Sequence, residues 1–248
     1  MSRDLAHGTL DYGTTMNSTL RTSTPTTKAD ENRTLTESAY EALRRDIISG
    51  AHRPGEKLRI EHLKKYYGIG PTPLREALQR LAADGLVIAI GNRGFTVAPL
   101  DAEELRDLNI ARTALEIQAV RLSIENGDAD WEAAMVGAAY RLSKSDALLK
   151  TKGDDVLNDW ARANEAFHLA VVTACGSQWL LRMRATLNAQ YERYRCASVT
   201  VQRQDRELAK EHQGILDAVT ARDADRACRL VGEHFNATTG TLIGELSD

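Results

Sequence analysis

The chain has 248 residues, 42% of them hydrophobic and 27% charged, with a formal net charge of −3. That length and composition give a globular protein with room for one large domain or two smaller ones. No apolar run approaches the ~20 residues that cross a bilayer, and the N-terminus lacks the charged-then-apolar pattern of a secretion signal. Three widely spaced cysteines, Cys175, Cys196 and Cys228, suit neither a disulfide framework nor a zinc knuckle. The expectation is therefore a cytoplasmic protein with reduced thiols and no membrane partner. Charge is uneven: residues 36–98 hold 10 basic against 7 acidic side chains, and residues 99–248 hold 18 against 24. A basic segment ahead of an acidic one points to a nucleic-acid-facing module joined to something else.

Residues 1–34 are rich in Thr, Ser, Asp and Asn and show no apolar period, which predicts a disordered arm. Residues 35–98 then read as three short helices and a hairpin. The first carries Leu43, Ile47 and Ile48 on one face and stops at Gly50. The second runs from Ile60 to Tyr67 and stops at Gly68. In the third, Leu74, Leu78 and Leu81 form an apolar stripe, while Thr72, Arg75, Gln79 and Arg80 lie on other faces. Pro71 and Pro73 fix its start, since the first N–H groups of a helix have no intrahelical partner. Leu86–Ile90, a turn over Gly91-Asn-Arg-Gly94, and Phe95–Ala98 predict a short hairpin with a basic tip. This is the pattern of a winged helix-turn-helix that reads double-stranded DNA, with the third helix in the major groove and the wing on the neighbouring backbone.

After Pro99 no proline occurs, and Ala, Leu, Glu and Arg dominate, which predicts an all-α bundle. Breaks at Asn126-Gly-Asp, Lys152-Gly-Asp-Asp, Cys175-Gly-Ser and Ala221-Arg-Asp divide residues 99–248 into about six helices. Three of the six histidines fall mid-helix here. His168 follows Asn164 by four residues, so both share one face. His212 and His234 stand 22 residues apart on the last two helices, which a short turn would bring to similar depth. Each histidine alone reads as a core or surface side chain rather than a ligand. Three imidazoles and one oxygen together would suit zinc, with nickel or manganese as other occupants. Glu165-x-x-His168 matches half of a di-iron bundle motif, but no second such unit occurs, and neither a His-Glu-x-x-His nor a nucleophile-elbow signature is present. A metal-dependent enzyme would also leave the winged helix unexplained.

Pro54-Gly55, Thr72-Pro-Leu-Arg-Glu-Ala-Leu78, Asp84-Gly-Leu-Val87 and Arg93-Gly94 closely resemble the GntR family of bacterial transcription regulators. The resemblance implies DNA contacts from Thr72, Arg75, Asn92, Arg93 and Gly94. Arg59 and Arg80 extend that set as further basic residues nearby. Two departures stand out: Gly70-Pro71 replaces the family's Ser-Arg, and Glu61 occupies a position usually basic. The helical half is similar to the FCD domain of one GntR subfamily, through Ile110-Ala-Arg-Thr-Ala-Leu-Glu116, Asn164-Glu-Ala-Phe-His168, Glu211-His212 and Glu233-His234. That resemblance implies a metal held by Asn164, His168, His212 and His234, with Asn164 where the family has aspartate. It also implies that Arg112 faces a pocket for a small carboxylate effector, the alternative being a surface arginine beside Glu116 at i+4. A homodimeric regulator, acting as a repressor on a two-fold operator, is the expected whole.

Overall fold

The computed structural model describes residues 28–91, 94–152, 156–197 and 207–246. The N-terminal unit comprises α1 (Lys28–Ile48), β1 (Lys57–Leu58), α2 (Ile60–Tyr67), α3 (Pro71–Ala83), β2 (Val87–Ala89) and β3 (Phe95–Val97). Helix α1 begins at Lys28, so residues 28–34 of the expected arm are helical rather than irregular. The Ser/Thr-rich composition hid this start, because it lowers helix propensity without forbidding a helix that the packed turns after it propagate. Residues 1–27 lie outside the described residues.

Helix α2 ends on Gly68 at φ 69°, a left-handed cap that suits glycine, and α3 opens on Gly70 with Pro71 and Pro73 in its first turn. Leu74, Ala77, Leu78 and Leu81 of α3 are buried against Ala39, Leu43 and Ile47 of α1 and Leu63 of α2. The sheet has the order β1-β3-β2 and is antiparallel throughout, with Lys57 opposite Thr96 and Val87 opposite Val97. Strand β1 adds an edge that the predicted hairpin lacked. Two residues are too few to show a period in sequence.

Six helices follow: α4 (Ala102–Asn126), α5 (Ala129–Lys152), α6 (Leu157–Val172), α7 (Gln178–Ala197), α8 (Leu208–Thr220) and α9 (Ala224–Leu246), with a 3₁₀ turn at Thr173–Cys175. Asp101 caps α4, its side chain accepting from the Glu104 amide at 2.8 Å. Helix α4 packs against α6, α7 and α9, and α5 against α6 and α8. Their main core runs through Val120, Met135, Leu142, Phe167, Val172, Ile215 and Val231. A smaller cluster, Leu105, Tyr191, Tyr194 and Leu242, lies nearer the N-terminal unit. Among the described residues no helix is long and apolar enough to cross a membrane.

Candidate metal centre and DNA interface

Helix α6 presents Trp160, Asn164 and His168 at i, i+4 and i+8, and therefore on one face. The Trp160 indole N–H donates to the Asp146 carboxylate at 2.7 Å, which fixes the ring, and Phe167 packs edge-on to His168. His212 of α8 and His234 of α9 meet His168 across the bundle. The ring centroids lie 5.5 Å (His168–His212), 5.0 Å (His168–His234) and 4.9 Å (His212–His234) apart. One ligand nitrogen from each falls within 4.8 Å of the others, and all three residues are buried. Burial, and then the neighbouring His234 and His212, push the His168 pKa well below its ordinary 6.5. The imidazole is thus neutral at physiological pH, the form that binds metal.

Two observations fit this cluster to a divalent cation. The Asn164 Oδ1 is buried without a hydrogen-bond partner among the described residues, although a buried amide oxygen normally accepts one. The His234 Nδ1 lies 2.8 Å from the Glu211 carboxylate, the arrangement that orients a ligating imidazole and raises its basicity. Three imidazoles and an amide oxygen bring no negative charge of their own.

A cavity of about 70 Å³, room for roughly five waters, opens beside the cluster and is bordered by Asn164, His168 and His234. Arg112 borders it too. Its guanidinium is sandwiched 3.6 Å from the Tyr191 ring centroid and 3.9 Å from that of Phe235. The surface pairing with Glu116 is not what the structure holds. Glu116 is buried and engaged by Arg184, whose Nε donates at 2.7 Å while its Nη1 reaches Glu165 at 2.8 Å. Burial alone would lower the Arg184 pKa, but the two carboxylates reverse the sign and keep it charged. Glu165 also accepts from Asn188 at 2.9 Å. Arg112 makes no ion pair among the described residues, and burial lowers its pKa, with Tyr191 and Glu116 opposing. Trp160, Arg184, Tyr191 and Phe235, all cavity residues, carried no sequence signal beyond Trp160 sitting four residues before Asn164.

The buried His168 imidazole has a pH signature. A histidine whose pKa is lowered by folding is protonated first in the unfolded chain, so stability is present above 6.5 and lost as pH falls below it. In chelator, melting followed from pH 8 to 5 is expected to show a steepening loss below that value, up to about 1.4 kcal/mol per pH unit for the proton taken up. A curve as flat as that of His168→Phe would refute a buried neutral His168.

At the opposite end, Thr72 and Arg75 are exposed on α3, and Arg75 shares a cleft with Lys57, Arg59, Glu61 and Gln79 beneath the wing residue Gly94. Gly94 adopts φ 110°, and its carbonyl accepts from the Ile90 amide at 2.9 Å to close the wing turn. Asn92 and Arg93 lie outside the described residues. Arg80 is also exposed, on the side of α3 that faces α1. It pairs with Glu37 of α1 at 2.7 Å and covers the Tyr40 ring at 4.1 Å. The exposed arc of α3 has two sides: Thr72, Arg75 and Gln79 on one, Glu76 and Arg80 on the other, facing α1. Gln79, whose amide can bond an adenine edge, shares Arg75's side of the helix.

Known proteins resemble the chain over both of its units. The description "Bacterial regulatory proteins, gntR family" matches residues 35–97, and "FCD domain" matches residues 107–237. The chain belongs to the GntR family and carries its FCD domain. It is 39% identical over 85% of its length to an HTH-type regulator named BphR from Paraburkholderia xenovorans, covering 86% of that protein. It is 38% identical over 79% of its length to the HTH-type transcriptional repressor GlaR of Escherichia coli, covering 90% of that protein. The solved structure of E. coli McbR/YncC superposes at a TM-score of 0.70 with 24% identity, over 86% of this chain and 98% of that one. That likeness speaks for the fold. The protein is a transcriptional regulator and not an enzyme, and its three histidines are to be understood in that setting.

Proposed function

We propose that the protein is a cytoplasmic repressor whose hold on its operator is set by a small carboxylate bound in the helical domain. The observation that carries this reading is the cavity bordered by two histidines of a buried triad and by Arg112, a cation without an ion pair among the described residues. His168, His212, His234 and the Asn164 amide oxygen would hold a divalent cation, zinc first and nickel or manganese next. Such a cation supplies an uncompensated positive charge, which favours an anion. Arg112 then offers its planar fork to the same carboxylate, already desolvated between two rings and held in place by them. Trp160, Phe235 and Leu242 supply apolar walls.

The DNA half would use Thr72, Arg75, Arg59 and Gly94, with Asn92 and Arg93 at the wing tip. Two copies of the chain would place two reading heads on a two-fold operator, because one small head gives limited specificity. The name of GlaR as a repressor supports the direction of control. A coupling of ~1–3 kcal/mol between cavity and operator would change occupancy about 5- to 150-fold.

The test is a thermal-shift screen of small mono- and dicarboxylates with and without Zn²⁺, followed by operator binding with each hit. Hits are expected to need the metal, to disappear in Arg112→Met, and to weaken DNA binding. Hits that stabilise the protein yet leave operator affinity unchanged would refute the switch.

A further inference from the structure

Helix α7 belongs to both halves of the molecule. At 100° per residue, Arg184, Asn188, Tyr191 and Arg195 share one face, and all four border the cavity. Thr186, Ala189, Gln190 and Arg193 share the opposite face, which meets the winged helix. On that face stands Arg193, 3% exposed. Its Nη2 donates to the carbonyl oxygens of Ala98 at 2.6 Å and Pro99 at 3.0 Å, where the chain leaves the wing. Its Nη1 donates to the Gln190 side-chain oxygen at 2.7 Å, and the Gln190 amide in turn donates to the Asp84 carbonyl. Asp84 is the C-cap of α3, the DNA-reading helix. The same Asp84 takes the Tyr40 hydroxyl of α1 on its side chain at 2.7 Å.

The surroundings make this polar linkage decisive for orientation. On one side of it lies a gap of about 110 Å³ between Tyr40, Asp84, Leu86 and Ala189. On the other lies a groove of about 440 Å³ along Ile47, Arg53 and Val97. Packing across the junction is therefore incomplete on both sides of this linkage. Arg193 is a buried guanidinium with no carboxylate ion pair among the described residues; its direct hydrogen bonds go to neutral oxygens, with the Tyr194 ring 5.9 Å away. Apolar contact would join the units at lower desolvation cost. What a forked donor adds is direction. Gly85 sits at φ 75°, a backbone region that favours glycine, and a Cβ there would come within 3.1 Å of the Gln190 amide nitrogen, so the chain at the end of α3 runs close to α7.

We propose that Arg193 and Gln190 are positioning residues for DNA reading: lying outside the winged helix, they hold the end of the recognition helix and the exit of the wing at a fixed angle, and so set the half-site spacing the protein accepts. This rests on the paired-head arrangement proposed above, since spacing has meaning only for two heads. Residues on the other face of α7 line the cavity, which makes this clamp the direct mechanical link between cavity and head.

The test uses the full-length protein and half-sites that it selects from random duplex DNA. Half-site pairs with the spacing varied in single base pairs are then compared for wild type, Arg193→Met, Arg193→Lys and Gln190→Ala. Wild type is expected to favour one spacing by about tenfold or more, and the Met and Ala variants to flatten that preference to about threefold or less, as loss of charge-assisted hydrogen bonds predicts. Half-site sequence preference and salt dependence should stay as in wild type, because Thr72 and Arg75 are untouched. Lysine, a point charge without the fork, should restore the preference in part. Gln190→Ala, at a half-buried position, serves if Arg193→Met does not fold. Dimeric variants that keep the wild-type spacing preference would overturn the clamp alone. A wild-type protein that sediments as a monomer and binds single half-sites would overturn the clamp and the paired-head reading together.

Discussion

Arg184→Ala is expected to cost the folded protein about 3–5 kcal/mol, the usual penalty for removing one partner of a buried ion pair. Among the described residues Arg184 alone forms an ion pair with Glu116, and Glu116 is 2% exposed. Without the guanidinium that carboxylate is stranded in the helical core, and burial already pushes its pKa up. Glu165, partly exposed, can turn to water and suffers less. The penalty should therefore be recovered mainly through Glu116. In denaturant melts the double variant Arg184→Met, Glu116→Gln is expected to regain most of the lost stability, while Arg184→Ala, Glu165→Gln is not. Equal recovery by both double variants would mean that the network is not centred on Glu116. The distinction matters for function, because Arg184 and Glu165 border the cavity and Glu116 lies one turn beyond Arg112 on α4.

How far the sequence foretells this molecule depends on whether the deciding contact is local. Pro71 and Pro73 mark the start of α3 because a missing N–H is harmless only there, and the structure begins the helix at Pro71. Glycine-marked breaks likewise match the ends of α4 and α5. Asn164 and His168 are legible as a pair because helical spacing puts them on one face. The third dimension is not local. Nothing near Arg112 in sequence announces that Tyr191 from α7 and Phe235 from α9 will close on its two sides. Arg80 shows the converse: periodicity places it off the apolar stripe of α3, but only the packing of α1 decides that this part of the polar arc is covered by Glu37 and Tyr40. Glu211 is adjacent to His212 in sequence yet bonds His234, because i and i+1 side chains on a helix diverge.

The charge of the proposed metal centre gives the second large effect, and Asn164 is where it can be read. With three neutral imidazoles and an amide oxygen, a bound divalent cation keeps its full charge, and the cavity beside it favours an anion. Asn164→Asp changes little in volume but adds a negative ligand at a buried oxygen that has no hydrogen-bond partner among the described residues. Metal affinity is expected to rise, on the order of ten- to a hundredfold, the range over which changes around a metal's ligands usually act. Carboxylate affinity should fall over a similar range, since the same charge now meets the effector at close quarters. Competition with a chelator measures the first, and thermal shift by the hits of the carboxylate screen measures the second. His212→Ala supplies the reference, because removing one of three imidazoles should weaken the metal and the carboxylate together. Opposite signs in Asn164→Asp and equal signs in His212→Ala would tie both ligands to one centre. If Asn164→Asp left metal affinity unchanged, its oxygen would not reach the cation, and the triad alone would hold it.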